Sequence, residues 1–187
     1  LGIAHLDLKL ENMLISDMRP DATLMLCDFG MSKEVSKEVG MRGWCDTTIT
    51  ESYASPWYAP PEVLYPPAFG VDGDNTNAFA VDVWCLGVCL LNLVFGFEIF
   101  KLGYEQLGQP AHEVFTRMRD AQKRGENGVR EACSASTYSV AALRKFNSLS
   151  DPLTSLLDSM LRVEPDDRLK LADVAVREAR AAVAVAV

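Results

Sequence analysis

The sequence predicts a mainly helical chain with a small β element at its start. Two short apolar runs, 13–16 (MLIS) and 23–27 (TLMLC), flank the turn-forming segment 17–21 (DMRPD), a pattern typical of two paired strands. From about Ala80 to Phe95, apolar residues occur on every side of a helical wheel, as in a buried helix. The run 151–162 repeats its apolar residues at helical spacing.

The segments that follow the strands are predicted to be loops. Residues 31–54 are polar, rich in Ser, Thr, Lys and Glu, and have no clear period. Prolines come next, and a short helix is predicted from Pro61 to Leu64. Residues 65–77 (YPPAFGVDGDNTN) are rich in Pro, Gly, Asp and Asn, which favours another loop before the buried helix.

The second half of the chain is predicted to consist of helices joined by polar segments. An amphipathic helix is expected over 110–124, with Val114, Phe115 and Met118 on one stripe. Residues 125–136 are predicted to be a polar linker.

The clearest helix signal lies at 151–162. Asp151 can cap this helix, and Pro152 suits its first position. Its apolar stripe is formed by Leu153, Leu156, Leu157, Met160 and Leu161. A last helix is predicted from near Leu171, and the alternating end, 181–187 (AAVAVAV), fits either a helix or a strand.

The composition is that of a globular domain. Hydrophobic residues make up 49% of the 187 residues and charged residues 24%, which is enough for one sizeable core. Lys and Arg number 18 and Asp and Glu number 26, so the formal net charge is −8. Because nucleic-acid binders need a basic surface, we do not expect a nucleic-acid partner.

The apolar runs and the cysteines indicate in which cellular compartment we expect the protein. The longest apolar stretch, 83–97, is short for a membrane span and is interrupted by Asn92, so we expect a core helix and no membrane. The five cysteines form no CxxC pair and are odd in number, which indicates neither a disulfide framework nor a zinc site. We therefore expect a reducing, cytoplasmic environment.

Residues that can carry chemistry are concentrated in short motifs along the chain. These motifs are 5–12 (HLDLKLEN), 27–30 (CDFG), 60–62 (PPE), 82–87 (DVWCLG) and 165–168 (PDDR). A three-residue motif recurs by chance, whereas five motifs in a fixed order on plausible elements are specific.

In these motifs the chain resembles the C-terminal lobe of a eukaryotic protein kinase. They match, in order, the family's H-R-D-x-K-x-x-N catalytic loop, D-F-G, A-P-E, D-x-W-x-x-G and P-x-x-R. The resemblance runs from about Leu1 to Ala175. It implies a protein-kinase-like fold that is α+β by family and mainly α in this chain. Residues 1–180 would be a partial kinase domain, and 181–187 a tail of unknown role.

The resemblance implies transfer of the γ-phosphoryl group of ATP to a protein substrate, with Mg²⁺ as cofactor. Asp7 matches the catalytic base that takes the proton of the acceptor hydroxyl. Lys9 would place a positive charge near the transferred phosphoryl group. Asn12 and Asp28 match the magnesium ligands, and oxygen is the ligand that Mg²⁺ prefers. Leu14 matches a residue that packs under the adenine.

Other matching residues are expected to be structural. His5 and Phe29 resemble stacked residues of the family's internal hydrophobic spine. The Asp82 side chain would bind the backbone of the catalytic loop, because a buried carboxylate needs partners. Glu62 and Arg168 resemble a buried ion pair.

The main site residues have plainer alternatives. Asp7 could cap a backbone amide, Asp28 could be a turn residue after a strand, and Leu14 could belong to the core. Lys9, two residues after Asp7, follows the serine/threonine-type pattern and favours a Ser or Thr acceptor over Tyr. Residues 55–58 (SPWY) resemble the segment that lines the substrate pocket, with Ser55 where Thr is usual.

The chain also departs from the family's pattern. Leu6 replaces the arginine of H-R-D, which normally receives a phosphate on the activation loop. The loop at 31–54 still contains Thr48 and Thr50, and we expect activity to depend little on their phosphorylation. Residues 66–78 look like an insertion whose default form is a surface loop.

Parts of the family's nucleotide site are missing from these 187 residues. The sequence has no Gly-rich loop, V-A-I-K lysine or partner glutamate, which belong to the family's N-terminal lobe. Residues 1–4 are predicted to be the tail of the helix before the catalytic loop. A fragment whose parent chain supplies the missing lobe is the simplest expectation, and such a fragment would be inactive alone. A pseudokinase-like docking module without catalysis is the alternative.

Overall fold

The computed structural model of this chain describes residues 2–35, 44–45, 54–69, 76–96, 99–100, 111–135 and 139–170. The last helix predicted from Leu171 and the tail at 181–187 lie outside these ranges.

Two antiparallel strand pairs form the β element at the start. Strand β1 (Ile3–Ala4) pairs with β4 (Lys33–Glu34), and the predicted hairpin is present as β2 (Met13–Ile15) and β3 (Leu24–Leu26). The helix tail predicted at 1–4 is therefore wrong within the described residues. Gly2 has a positive φ of 74° and is followed by a β-branched residue, a combination that opposes a helix and favours an extended chain.

A third antiparallel pair lies inside segments predicted to be loops. Strand β5 (Trp44–Cys45) pairs with β6 (Thr76–Asn77). Each strand has only two residues, too few to produce a periodic signal in the sequence. Helix α1 (Pro61–Leu64) is present as predicted, and α2 (Pro66–Phe69) occupies part of the predicted insertion loop.

Helix α3 (Ala78–Phe95) is the central helix of the described structure. The Asn77 side chain caps it by accepting the N–H of Ala80 at 3.1 Å, and Gly96 ends it with a φ of 76°. The helix is long and apolar enough to cross a membrane, with a mean hydropathy of 2.1, but 72% of that stretch is buried inside the protein. The prediction of a buried core helix is confirmed.

Two helices follow where one helix and a linker were predicted. Helix α4 (Ala111–Lys123) is amphipathic as expected, with Phe115 and Met118 buried. The linker predicted at 125–136 is wrong, because residues 128–135 form helix α5 (Gly128–Ala135). Its buried face consists mainly of Val129, Ala132 and Cys133, a helical spacing too short to stand out in the sequence.

The described chain continues with helices α6 (Ser139–Asn147) and α7 (Asp151–Met160). Helix α7 matches the strongest helix prediction, although its N-cap is Ser150 rather than Asp151. It packs against α3 at Gly87, where an added Cβ would lie 3.0 Å from the Met160 Cβ. This close approach packs the last α-helix of the described residues against the central one, and a short 3-10 helix, Pro165–Asp167, follows it.

A buried ion pair joins the two ends of the helical core. The Arg168 guanidinium donates to both carboxylate oxygens of Glu62, at 2.6 and 2.7 Å, and each side chain is only 1% exposed. Arg168 also donates to the carbonyls of Ala80, Arg162 and Val163. The ion pair predicted from the motifs is present, and further hydrogen bonds satisfy its arginine.

Candidate active site

The loop between β1 and β2 carries most of the predicted site residues and is anchored on α3. The buried Asp82 carboxylate accepts the backbone N–H of His5 at 2.7 Å and that of Leu6 at 2.8 Å. Burial raises the pKa of Asp82, and the two backbone hydrogen bonds act against that rise. Both N–H groups bind to one side chain, so α3 holds the backbone of the two residues that precede Asp7 in the sequence.

His5 links this loop to the end of strand β3. Its Nδ1 accepts the N–H of Asp7 at 3.3 Å, so Nε2 carries the proton and donates to the carbonyl of Cys27 at 3.1 Å. Its ring lies 4.9 Å from the ring of Phe29, centroid to centroid. His5 therefore has a structural role, as expected, and it aligns the segments that carry Asp7 and Asp28.

The Asp7 carboxylate accepts hydrogen bonds from three other residues of the site. Its Oδ2 accepts the Lys9 ammonium at 2.8 Å and the Asn12 amide nitrogen at 3.2 Å. Its Oδ1 accepts both the backbone N–H of Ser55, at 3.2 Å, and the Ser55 hydroxyl, at 3.3 Å. The side chain is 13% exposed, so it is held firmly but still reaches the surface. The structure thus brings Asp7, Lys9 and Asn12 together.

The sequence did not indicate that Ser55 belongs to this cluster. Its hydroxyl also accepts the Lys9 ammonium at 3.0 Å, so it bridges Lys9 and Asp7. Ser55 lies 48 residues after Asp7, and no local spacing could connect them. The only signal was the match of 55–58 to a substrate-pocket segment.

Electrostatics keep Asp7 ionised. Desolvation is the largest single influence and would raise its pKa, but the hydrogen bond and charge of Lys9, with hydrogen bonds from Ser55 and Asn12, lower the pKa below its usual value. The pKa of Lys9 is raised, chiefly by its hydrogen bond to Asp7 and also by the charges of Glu11 and Asp28. Both groups therefore remain charged at neutral pH.

The hairpin positions the two predicted magnesium ligands. The carbonyl of Asn12 accepts the N–H of Cys27 at 3.0 Å, and Asp28 follows two residues after the end of β3. Asn12 is buried and donates its amide nitrogen to Asp7, so its amide oxygen is the atom that could ligate a metal ion. Asp28 is exposed, and its φ of 61° turns the chain out of the strand.

The donor set fits Mg²⁺ held jointly with phosphates. Among the described residues, no group of three His, Cys, Asp or Glu side chains could hold a metal ion alone. Mg²⁺ commonly takes one or two protein ligands and completes its shell with water and substrate phosphates. Asn12 and Asp28 offer one oxygen donor from each side of the hairpin's base, which suits that arrangement.

Leu14 lies on an exposed apolar face of the hairpin. It is 49% exposed, so the alternative that it belongs to the core is wrong. Its cross-strand partner Met25 is exposed on the same face, and Ile15, Leu24 and Leu26 are exposed on the opposite face of the hairpin. Apolar side chains on both strands of an isolated two-stranded sheet indicate a surface that needs a covering partner.

Leu6 is buried, with only 1% of its surface exposed, and its backbone φ is 65°. An apolar side chain in this position offers no charge to an anionic group. The loop threonines Thr48 and Thr50, which bear on the same prediction, lie outside the described residues.

A second polar contact connects the loop to the segment of Ser55. The Tyr58 hydroxyl donates to the Glu11 carboxylate at 3.3 Å. Burial, and next the charge of Glu11, raise the pKa of Tyr58 to about 12, so the hydroxyl stays protonated. This contact fixes the 55–58 segment against the loop at a second point.

Comparison with known proteins agrees with the motifs and the geometry. The family model described as protein kinase domain matches residues 1–178. Calcium/calmodulin-dependent protein kinase type IV of Homo sapiens is 38% identical over 107 residues, 57% of this chain and 19% of the relative. MAP kinase-activated protein kinase 2 of Drosophila melanogaster is 28% identical over 172 residues, 92% of this chain and 38% of the relative.

The fold, the loop geometry and the family match define a fragment of a protein kinase domain. The chain belongs to the eukaryotic protein kinase superfamily. It spans well under half the length of these two curated relatives, at 19% and 38%.

Proposed function

We propose that this chain is the catalytic C-terminal lobe of a protein serine/threonine kinase. It would act on the γ-phosphoryl group of ATP and a Ser or Thr hydroxyl of a protein substrate. Asp7 is the base, and Asn12 and Asp28 hold Mg²⁺, which neutralises phosphate charge when bound. A cytoplasmic location is part of the same proposal.

The ionisation, orientation and accessibility of the Asp7 carboxylate are the main support for this proposal. A general base must be ionised, oriented and accessible to the proton that it takes. Lys9, Asn12 and Ser55 orient both carboxylate oxygens, the pKa of Asp7 is lowered, and part of the side chain reaches solvent. A carboxylate that merely capped a backbone amide would not need this convergence of a cation, an amide and a hydroxyl.

Lys9 supports the same chemistry from the neighbouring position. Its ammonium lies 2.8 Å from Asp7 Oδ2, and its pKa is raised. A permanent positive charge beside the base can stabilise the negative charge of a transferring phosphoryl group. The pairing of Asp7 with Lys9 also favours a Ser or Thr acceptor, by the resemblance described above.

We further propose that an N-terminal lobe of the parent chain completes the nucleotide site. The exposed apolar face around Leu14 is the surface that such a lobe, together with the adenine ring, would cover. The lysine and Gly-rich loop that hold phosphates in this family would come from that lobe. The lobe described here would then be inactive alone.

Nucleotide binding tests the metal assignment. We would join the N-terminal lobe of human calcium/calmodulin-dependent protein kinase type IV ahead of this chain and measure thermal unfolding with ATP, with and without Mg²⁺. Ligand at about 100 times its Kd adds about 2.7 kcal/mol of stability. We expect a Mg²⁺-dependent rise in Tm that Asp28→Ala abolishes.

Asp21→Ala is the matched control, because Asp21 is 81% exposed in the turn of the hairpin. It should leave the rise in Tm intact. An equal rise in Asp28→Ala and in the parent fusion would contradict the metal assignment. The absence of any rise in the folded fusion would instead favour a docking module without nucleotide function.

A further inference from the structure

Ala54 has a backbone conformation that its side chain disfavours. Its φ is 67°, in the left-handed region, where a Cβ crowds the following carbonyl. Ala54 is 7% exposed and belongs to the hydrophobic core, so packing holds the residue in place. Non-glycine residues persist in this region only when their surroundings impose it.

The residue after Ala54 is the one that reaches Asp7. Ser55 directs both its N–H and its hydroxyl to Asp7 Oδ1, and its carbonyl accepts the N–H groups of Tyr58 and Ala59 at 2.8 and 3.1 Å. Pro56 follows, and a proline restricts the residue before it to extended backbone. With Ser55 restricted in this way, the backbone at Ala54 sets the direction of the Ser55 N–H.

We infer that Ala54 is a positioning residue for the site, because its left-handed backbone aims the Ser55 amide and hydroxyl at Asp7. If Ala54 took the right-handed or extended conformation, the 54–55 peptide would rotate and Asp7 would lose both contacts on Oδ1. The expected consequence for reaction rate rests on the proposed function. The expected consequence for the Ser55 contact does not.

The test compares substitutions that differ in their tolerance of left-handed backbone. Ala54→Asn and Ala54→Thr are matched, since both add a polar side chain of similar size, but Asn adopts this conformation readily and β-branched Thr does not. Ala54→Gly adopts it without cost. Hydrogen exchange of the Ser55 amide, measured by NMR on the 187-residue chain, reports the contact with Asp7.

We expect Gly and Asn variants to protect the Ser55 amide at least as well as the parent, and Thr to lose protection roughly tenfold, which corresponds to about 1.4 kcal/mol. Protection of the Val81 and Leu91 amides in α3 should stay unchanged, which separates this effect from unfolding. Equal protection in the Thr and Asn variants would overturn the inference, and so would lost protection in the Gly variant.

The kinetic readout uses the lobe fusion described above. We expect the Thr variant to lower kcat roughly tenfold while the KM for ATP stays the same, and the Gly and Asn variants to match the parent. Equal kcat for Thr and Asn would overturn the role in positioning the base. If the parent fusion is inactive but the Ser55 amide is protected, the result counts against the proposed function. The hydrogen exchange of the Ser55 amide then decides the role of Ala54.

Discussion

The Asp82 carboxylate on helix α3 accepts the backbone N–H of Leu6 at 2.8 Å, although 76 residues separate the two in sequence. This hydrogen bond holds Leu6 at a φ of 65°, next to Asp7. The central helix therefore sets the backbone from which Asp7 projects, and the core and the site are mechanically one unit. Substitutions that destabilise the helical core should therefore also disturb the position of Asp7.

The buried ion pair of Glu62 and Arg168 should be a major determinant of stability. Removing one partner leaves an uncompensated buried charge, which typically costs about 3–5 kcal/mol. Arg168→Ala should therefore lower the free energy of unfolding by about this amount in denaturant titrations. The control is Arg124→Ala, because Arg124 and Glu126 form a pair in which both side chains are 56% exposed. That change should leave the free energy of unfolding nearly unchanged, because water screens an exposed ion pair.

A side chain at position 87 should destabilise the chain. An added Cβ would lie 3.0 Å from atoms of both Met160 and Leu161, in a well-packed helix crossing. Gly87→Ala should destabilise the chain by about 1–3 kcal/mol, measured by thermal or chemical unfolding. Gly96→Asn is the control, since a Cβ at Gly96 meets nothing within 4 Å and Asn tolerates its positive φ. A Gly87→Ala variant as stable as the parent would refute the packing described here.

The lowered pKa of Asp7 should produce a specific dependence of stability on pH. A carboxyl group whose pKa is lower in the folded state stabilises the fold above its unfolded pKa, about 3.9 for Asp, and loses that effect as the pH falls through the folded value. The difference in unfolding free energy between the chain and Asp7→Asn should be constant above about pH 5 and should change as the pH falls below about 4.

Ser55 should contribute to that lowered pKa through its hydrogen bonds. Ser55→Ala removes the hydroxyl donor and should shift the pH midpoint of the Asp7 contribution upward. Ser16→Ala is the control. Ser16 lies in the hairpin, and the one hydrogen bond described for its side chain is accepted from the N–H of Thr23. A midpoint unchanged in Ser55→Ala would show that Ser55 does not bias the ionisation of Asp7.

Activity should depend little on phosphorylation of the loop that contains Thr48 and Thr50. The position before Asp7 is the buried, uncharged Leu6, which offers an introduced phosphate no charge partner. Thr48→Glu and Thr50→Glu should therefore raise the activity of the lobe fusion by less than tenfold in a peptide phosphorylation assay. A larger rise would mean that another cation takes the role of the missing arginine.

Part of the site could be predicted because its residues are close in sequence. Asp7, Lys9 and Asn12 lie within one loop, and their order and spacing match the catalytic loop of the protein kinase family. The contribution of Ser55 could not be predicted, because it depends on where α3 and the segment at 54–59 place a distant backbone amide. No local spacing in the sequence connects Ser55 with Asp7.

The same distinction explains the fold. The long apolar run of the buried helix α3 and the helical apolar spacing of helix α7 each extend over ten or more residues, and both helices were predicted. Helix α5 has eight residues, and the pairing of β1 with β4 involves two residues on each strand. Such short elements are stabilised by tertiary contacts rather than by local preference, so the sequence alone indicated a linker and a helix tail instead.

Phosphate transfer by the lobe fusion tests the central claim most directly. With Mg²⁺, radiolabelled ATP and a generic protein substrate, we predict label on Ser and Thr that falls at least 100-fold in Asp7→Asn, the lower bound expected for loss of a general base. Mg²⁺-ATP binding should be unchanged in that variant, and Asp17→Asn, on the exposed hairpin turn, should transfer at the parent rate. Transfer by Asp7→Asn at the parent rate, or nucleotide binding without any transfer by the parent fusion, would contradict the assignment of Asp7 as the catalytic base.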